Sequence, residues 1–300
     1  MREGNESSRG YLVTRPLVSI LTPSFNQDRW LTDNLQSVDV QSYPAIEHVV
    51  MDGGSTDRSV EILRSGSPKL VWDSAPDHGQ SDAINKAFEK STGDIIGWLN
   101  SDDAYFSRTV VAKAVDVFEH NPEVGLVYGH AVLVNAGGTP LQVIWAPPFA
   151  RAALRAYDLI SQPTVFIRRS VVGRKNLVDP NLDYMMDWEL WLHLARRTGF
   201  HRLNTIVALD RHHLQRKSYT RLDLAAHDME LISQEYRVPP LAANRVLLKT
   251  VTVGLRFAGL SKIREASRGS DALALEVASA REMAVRQVAR LRRWMPSGDV

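Results

Sequence analysis

Four short apolar runs in the first hundred residues constrain the fold most. They are Leu17–Leu21, Ile46–Met51, Lys69–Trp72 and Ile95–Leu99, and segments with helical spacing of apolar residues separate them. A short apolar run between turn residues is typical of a buried strand. Alternation of such strands with helices predicts a mostly parallel sheet flanked by helices. Because right-handed crossovers bring the carboxyl ends of parallel strands to one edge, we expect the polar residues after each strand to converge there.

Two adjacent carboxylates follow the fourth run. Asn100 and Ser101 lead directly into Asp102 and Asp103. Packing explains this pair poorly because like charges repel, whereas a divalent cation prefers carboxylate oxygens and could be held by both. A cap for the helix expected near Thr109 would explain one polar residue but not two. We therefore expect a Mg²⁺ or Mn²⁺ site at this edge of the sheet.

The rest of the chain continues the α/β pattern and then becomes helical. Helices are expected over 109–119, 151–160 and 187–197, and strands over 124–135, 141–145, 162–168 and 205–209. After Lys217 three helices are expected, over 222–236, 241–260 and 271–295. The predicted organisation is a polar tail over 1–15, an α/β domain over 16–216 and a basic helical extension over 217–300.

Charge and composition restrict the partners and the compartment. The chain has no cysteine, its first 15 residues lack an apolar core, and no apolar run reaches the ~20 residues that span a bilayer. Residues 237–300 carry twelve Lys and Arg against five Asp and Glu, while the preceding part has a net charge of −5. A nucleic-acid-binding domain would be basic where it binds. We expect a cytoplasmic protein without a nucleic-acid partner.

The basic extension has two interpretations. Arg245, Lys249 and Arg256 fall on one face of the helix expected over 241–260. A basic amphipathic helix of this kind suits the inner face of a membrane, where it meets anionic lipid. The alternative is a helix that covers the α/β domain or forms a homodimer, with its cations in solvent.

Five segments in order resemble the inverting family-2 glycosyltransferases, which have the Rossmann-like GT-A fold. They are Val18–Asn26, Val50–Asp57, Gly79–Asn85, Gly97–Asp103 and Asp187–Trp191. The resemblance covers residues 16–215. It implies transfer of a sugar, with inversion, from a nucleotide-diphospho-sugar to a hydroxyl of a glycan, lipid-linked or small-molecule acceptor, as in bacterial glycan or glycolipid biosynthesis.

The resemblance also implies roles on the donor side. Pro23, Asn26 and Asp52 would line the base and ribose pocket, where a carboxylate can accept hydrogen bonds from N–H and hydroxyl groups. Gly79 and Gln80 open a helix whose free N–H groups and dipole favour a phosphate or a sugar hydroxyl.

The family's Asp-x-Asp motif reads Asn100-Ser101-Asp102 here. An amide at its first position can still bind ribose but supplies less charge to a metal. Asp102 is therefore the first candidate ligand and Asp103 the second, and which of them touches the metal stays open. His212 and His213 follow the last expected strand, where the family places a histidine or basic group near the diphosphate or metal; His212 is the preferred candidate.

Asp187 occupies the place of the family's catalytic base. A single carboxylate that takes the proton of the acceptor hydroxyl suffices for inversion, while the metal neutralises the departing diphosphate. The family usually has an acid just before this aspartate, and here it is Met186. Glu189 lies two positions further round the helix and is expected to be structural.

Two other functions stay open at this point. A sugar-phosphate nucleotidyltransferase also binds nucleotides on an α/β sheet, but its triphosphate loop is rich in glycine and basic residues, and 22–27 has neither. A nucleotide-sugar-binding protein that has lost catalysis would explain both Asn100 and Met186.

Overall fold

The computed structural model describes residues 15–217 and 222–238. The strands are β1 (Val18–Ser24), β2 (Ile46–Asp52), β3 (Leu70–Ser74), β4 (Ile95–Trp98), β5 (Ala104–Tyr105), β6 (Val124–Asn135), β7 (Pro140–Ile144), β8 (Phe166–Arg168) and β9 (Gly199–His212). The helices are α1 (Asp28–Asp39), α2 (Ser59–Arg64), α3 (Gln80–Lys90), α4 (Val110–His120), α5 (Arg151–Ala156), α6 (Arg169–Val172), α7 (Met186–Ala195) and α8 (Leu222–Tyr236), with a 3₁₀ turn at Gln162–Thr164.

All nine strands of this part of the chain form one sheet. Its order is β3-β2-β1-β4-β8-β6-β9-β5, and β7 pairs with β6. Strands β1 to β4 are parallel, as their alternation with helices predicted. Strand β8 is antiparallel to both β4 and β6, and the long strands β6 and β9 run parallel to each other. The α/β fold class is confirmed, with a mixed half added to the parallel half.

The parallel half is buried on both faces. Successive residues of a strand point to opposite sides of the sheet. Accordingly, Leu21 lies in one core cluster with Ile84 and Phe88 of α3, whereas its neighbour Ile20 lies in another with Val111 and Phe118 of α4. Both residues of β1 are fully buried. Because helices cover both faces of the sheet, side chains on both sides of this strand are mostly apolar, which gives a nearly continuous apolar run in the sequence.

Three predicted elements differ from the structure. Helix α5 ends at Ala156 instead of residue 160, because Tyr157 adopts an extended backbone. Segment 162–168 is a 3₁₀ turn followed by a three-residue strand. Strand β9 is much longer than the predicted 205–209. Its first half is only partly buried and lacks an apolar pattern, so the sequence did not indicate that half as a strand.

The C-terminal prediction is confirmed for one helix. Helix α8 has the predicted bounds 222–236. The helices expected over 241–260 and 271–295 lie outside the described residues. Among residues 15–217 and 222–238, no helix is long and apolar enough to cross a membrane.

Candidate active site

A cleft of about 1100 Å³ opens at the carboxyl ends of the parallel strands. The sequence-predicted site residues that line it are Pro23, Gly79, Gln80, Asn100, Asp102 and Asp187. Those that lie outside its lining are Asn26, Asp52, Asp103 and His212. The donor-side motif and the base candidate, 85 positions apart in the chain, therefore meet in one cavity.

Asp52 is buried behind the cleft and holds a turn. Its carboxylate accepts hydrogen bonds from the backbone N–H of Ser55 at 2.8 Å, from the Ser55 hydroxyl at 2.5 Å and from the Ser74 hydroxyl at 2.7 Å. Only 2% of the residue is exposed. These bonds position Gly53, which lines the cleft in its place.

Asn26 links the first two strand-end loops. It adopts a left-handed backbone with φ of 52°, and its Oδ1 accepts the N–H of Thr56 at 2.9 Å. Its own N–H donates to the Ser55 hydroxyl at 2.7 Å. The neighbouring Phe25 is 58% exposed and lines the cleft, so the loop presents an aromatic ring to a ligand.

Asn100 is held by a closed network of amide hydrogen bonds. Its Oδ1 accepts from the Trp98 indole at 2.9 Å and from Nε2 of Gln80 at 3.0 Å. Its Nδ2 donates to Oε1 of Gln162 at 2.8 Å, and Nε2 of Gln162 donates to the Trp98 carbonyl at 2.6 Å. An indole can only donate and a carbonyl can only accept, so the direction of every bond is determined. An amide at position 100 forms all of these hydrogen bonds, whereas a carboxylate has no N–H to donate to Oε1 of Gln162.

Asp102 is paired with the second histidine of the His212-His213 pair. Nε2 of His213 lies 2.9 Å from Oδ2 of Asp102, and the His213 ring stacks on Trp30 with centroids 4.0 Å apart. His213 is buried, whereas His212 is the half-buried last residue of β9, opposite Asn135. The histidine with a 2.9 Å contact to Asp102 is therefore His213, the second of the pair.

Asp103 points away from the cleft. Its Oδ1 accepts the N–H of Arg211 at 2.8 Å, and its buried Oδ2 has no hydrogen-bond partner in the described part of the chain. Burial raises the pKa of this carboxyl well above the ordinary value, and the charges of Asp102 and Asp210 add to that. Of the two adjacent aspartates, Asp102 therefore lines the cleft and Asp103 lies in the protein interior.

Arg216 supplies positive charge next to these acids and was not anticipated from the sequence. Its guanidinium lies 2.7 Å from Asp210 and lines the cleft. Although burial alone would lower its pKa, the nearby carboxylates of Asp210, Asp103 and Asp102 raise the pKa further above its ordinary value. Its signal in the sequence is a basic residue four positions after the last strand, beyond the predicted histidine pair.

Asp187 lies in the first turn of α7, where it accepts the N–H of Trp188 at 2.9 Å. Burial raises the pKa of its carboxyl, while that N–H and the positive charges of Arg216 and Lys217 act in the opposite direction. An acid whose pKa is raised towards neutrality is suited to general base catalysis.

Asp158 brings a second carboxylate to the base side. It lines the same cleft, and burial together with the charge of Asp187 raises its pKa well above the ordinary value. It occupies the loop that begins where α5 ends early. An acid therefore lies near Asp187 although the residue before Asp187 in the sequence is Met186. The predicted helix over 151–160 included Asp158 and so did not indicate that this residue reaches the cleft.

Helix α8 is tied to the segment that carries Asp187. Oδ2 of Asp228, which is 1% exposed, accepts the backbone N–H groups of Asp183, Tyr184 and Met185 at 3.1, 2.6 and 2.8 Å. These three residues immediately precede α7. One buried carboxylate from the C-terminal helix thus orders the turn before the base candidate.

Glu189 is structural, as expected. Its carboxylate forms two bonds with the Arg174 guanidinium, at 2.9 and 2.7 Å, and accepts the hydroxyl of Tyr236 at 2.5 Å. It is 2% exposed and faces away from the cleft lining.

A divalent cation fits this site only with help from the substrate. Within 15–217 and 222–238, no group of three His, Asp or Glu side chains could hold a metal by itself. Asp102 is the one acid of the Asn100–Asp103 segment that lines the cleft. A hard cation that is completed by phosphate oxygens and water needs only one or two carboxylates, so the donor set is suitable for a metal–nucleotide complex.

Similar sequences carry the same domain. The sequence model of "Glycosyl transferase family 2" matches residues 19–166. An uncharacterized glycosyltransferase of Mycobacterium tuberculosis is 31% identical over 188 residues, which cover 61% of this chain and 71% of that protein. A "PGL/p-HBAD biosynthesis glycosyltransferase" of Mycobacterium bovis is 27% identical over 182 residues, covering 59% of this chain and 69% of that protein.

Solved structures share the fold. TarS of S. aureus, in complex with UDP-GlcNAc, superposes with a TM-score of 0.60 at 15% identity, covering 80% of this chain and 73% of that chain. The mannosyltransferase PcManGT of Pyrobaculum calidifontis, in complex with GDP-Man and Mn²⁺, gives 0.59 at 19% identity, covering 91% and 81%. The sheet with its flanking helices is thus of the GT-A type. The strand-end cleft, the motif order and the sequence relatives agree: the chain belongs to glycosyltransferase family 2.

Proposed function

We propose that this glycosyltransferase moves a hexosyl group from a nucleotide-diphospho-sugar to an acceptor hydroxyl with inversion, and that Asp187 is the base. One observation supports this most strongly: Asp102 from the donor-side motif and Asp187 from α7 line the same cleft. Asp187 would remove the proton of the acceptor hydroxyl while its oxygen attacks the anomeric carbon. The nucleoside diphosphate leaves from the opposite face of the sugar, which inverts the centre.

Asp102 is the proposed metal ligand. The fold relative PcManGT binds Mn²⁺ with its donor, and either Mn²⁺ or Mg²⁺ would suit a carboxylate and phosphate oxygens here. When bound, the ion neutralises negative charge on the leaving diphosphate. His213 would orient the Asp102 carboxylate, a role we assign to it in preference to His212 because of the 2.9 Å contact. Arg216 would add positive charge on the same side.

Asn100 and its network would position the donor. The Gln80 and Asn100 amides lie at the start of α3 and the end of β4, both on the cleft. A protein that had merely lost its first metal acid would leave that position unsatisfied, whereas Asn100 has a partner for each side-chain atom. This favours an active enzyme over a binding protein. Membership in family 2 removes the support for a nucleotidyltransferase.

The acceptor would carry an apolar part next to its reacting hydroxyl. Around Asp187 the cleft is lined by Tyr157, Tyr184, Met185, Met186 and Met229. Tyr157 is 54% exposed, which leaves its ring free to contact a ligand. Methionine and tyrosine side chains give apolar surface that adapts to irregular partners. A lipid-linked or aryl acceptor suits this wall better than a fully polar glycan.

A donor screen tests the proposal. Melting temperature is measured with UDP-, GDP- and dTDP-sugars, each with and without Mn²⁺, because a ligand that binds the native state raises it. We expect one nucleotide class to raise the melting temperature in a Mn²⁺-dependent manner, and Asp102→Asn to abolish the Mn²⁺-dependent part. A chain that responds to no nucleotide sugar would contradict the proposal.

A further inference from the structure

A second cavity, of about 410 Å³, lies between α5, α7 and the end of α8. It shares no lining residue with the catalytic cleft. Its α7 residues, Leu192 and Ala195, follow Asp187 by five and eight positions, which places them roughly 8–12 Å further along the helix axis. The cavity is therefore separate from the proposed reaction site.

The charge around this cavity is strongly one-sided. Four arginines line it, Arg151, Arg155, Arg196 and Arg237, against a single acid, Glu235. None of the four arginines forms an ion pair with a carboxylate of the described residues. Four unpaired guanidinium groups around one cavity repel each other, and an anion would relieve that repulsion.

Two of these guanidinium groups are already held in place. Arg155 donates to the carbonyls of Tyr236 and Arg237 at 3.3 and 2.6 Å. Arg196 donates to the carbonyl of Glu235 at 3.2 Å and lies 4.2 Å over the Tyr236 ring. Both guanidinium groups are thus bound to carbonyls and have no carboxylate partner among the described residues. A rim with two fixed arginines loses less conformational entropy when it binds a ligand.

The floor of the cavity is apolar. It is built from Leu154, Leu192 and Ala195, all of which are buried. An arginine rim over an apolar floor suits a ligand with two parts, since guanidinium groups bind phosphate oxygens in a bidentate manner and aliphatic side chains contact a hydrocarbon group.

We propose that this cavity, which we call the arginine pocket, binds a phosphate monoester that carries an apolar group. The source of that chemistry is either a lipid phosphate headgroup or a soluble organic phosphate. The site does not depend on the proposed transfer reaction.

The test is calorimetric titration of the full-length protein with hexyl phosphate and with inorganic phosphate. We expect hexyl phosphate to bind more tightly than inorganic phosphate, because only the ester reaches the apolar floor. The double variant Arg151→Gln/Arg237→Gln should weaken hexyl phosphate binding at least about tenfold, since both charges lie on the rim. Arg64→Gln/Lys69→Gln, which removes two exposed cations far from the pocket in sequence, serves as the charge-matched control and should bind like wild type.

Co-sedimentation with vesicles containing phosphatidic acid identifies the source. Reduced sedimentation of the pocket variant relative to Arg64→Gln/Lys69→Gln assigns the pocket to lipid headgroups, and equal sedimentation assigns it to soluble esters. Equal hexyl phosphate affinity in wild type and pocket variant, or no binding by wild type at millimolar concentration, would overturn the proposal. Nucleotide-sugar binding in the catalytic cleft, followed separately, is expected to be the same in all variants.

Discussion

The side-chain amides of Asn100 and Gln162 face each other with Nδ2 of Asn100 2.8 Å from Oε1 of Gln162. The Trp98 carbonyl fixes the orientation of Gln162 by accepting its Nε2. An aspartate at position 100 would bring a carboxylate oxygen against Oε1. We therefore expect the family's usual acid to be unfavourable in this chain.

Asn100→Asp should lower the free energy of unfolding by about 1–3 kcal/mol, the cost of an unsatisfied and repelled polar pair. Donor affinity should fall at least about fivefold, because repulsion between the new carboxylate oxygen and Oε1 of Gln162 displaces the side chain that Gln80 and Trp98 hold in the cleft. Urea unfolding and donor titration measure the two effects. Asn204→Asp, an exposed amide on β9, adds the same charge away from the cleft and should leave donor affinity unchanged. A variant that is equally stable and binds Mn²⁺ and donor more tightly would show that Asn100 is a defect.

His213→Ala should increase the Mn²⁺ concentration needed for half-maximal donor turnover several-fold. The reason is that His213 holds the Asp102 carboxylate from 2.9 Å and stacks on Trp30. Chelation by EDTA should abolish turnover in wild type. His212→Ala is the matched control, since it removes the adjacent ring, and it should leave the Mn²⁺ requirement unchanged. The reverse ranking of the two variants would support His212 instead.

Asp158→Asn should stabilise the protein at neutral pH, which thermal unfolding of wild type and variant at pH 7 measures. Burial and Asp187 raise the pKa of Asp158, so the native state holds a proton that the unfolded chain releases above its ordinary pKa. That linkage makes stability fall as pH rises, and the amide removes it. A gain of about 1 kcal/mol corresponds to roughly 2–4 °C in melting temperature.

The gain in stability should disappear at acid pH, where the unfolded chain also keeps the proton of Asp158. A variant that is no more stable than wild type at pH 7, or that is stabilised equally at pH 3, would contradict the raised pKa of Asp158.

Asp228→Ala should lower kcat at least about tenfold with little change in donor affinity, because the turn before Asp187 loses the acceptor of three N–H groups. Stability should fall by about 3 kcal/mol or more, as expected when a buried charged acceptor is removed. Hydrogen exchange over residues 183–187 should accelerate. Glu230→Ala, on the exposed side of α8, is the control. Unchanged exchange in that turn would reject the positioning role of Asp228.

The parallel half of the sheet and its strand-end residues could be predicted because buried strands and amphipathic helices have different periods. Other features depend on tertiary contacts that leave no local pattern. Asp158 reaches the cleft only because α5 ends four residues early. The choice between His212 and His213 depends on where β9 stops, and a shift by one residue reverses which side chain faces Asp102.

The C-terminal helix shows the same limit. Its apolar spacing predicted the bounds 222–236 correctly, yet nothing in that spacing marks Asp228 as different from Glu230. The distinction arises only where three N–H groups of a distant turn meet one carboxylate. Likewise, Asn100 reads as a lost acid in the sequence and as a satisfied amide once Trp98 and Gln162 are in place.

The central claim is that Asp187 is the base of an inverting transfer. Its most direct test is the transfer rate of wild type and Asp187→Asn with an identified donor and acceptor, together with the anomeric configuration of the product by NMR. We expect a product inverted relative to the donor, and a fall in kcat of roughly 10²–10⁴-fold in the variant, with donor affinity unchanged. Equal rates, or a product that retains the donor configuration, would contradict the claim.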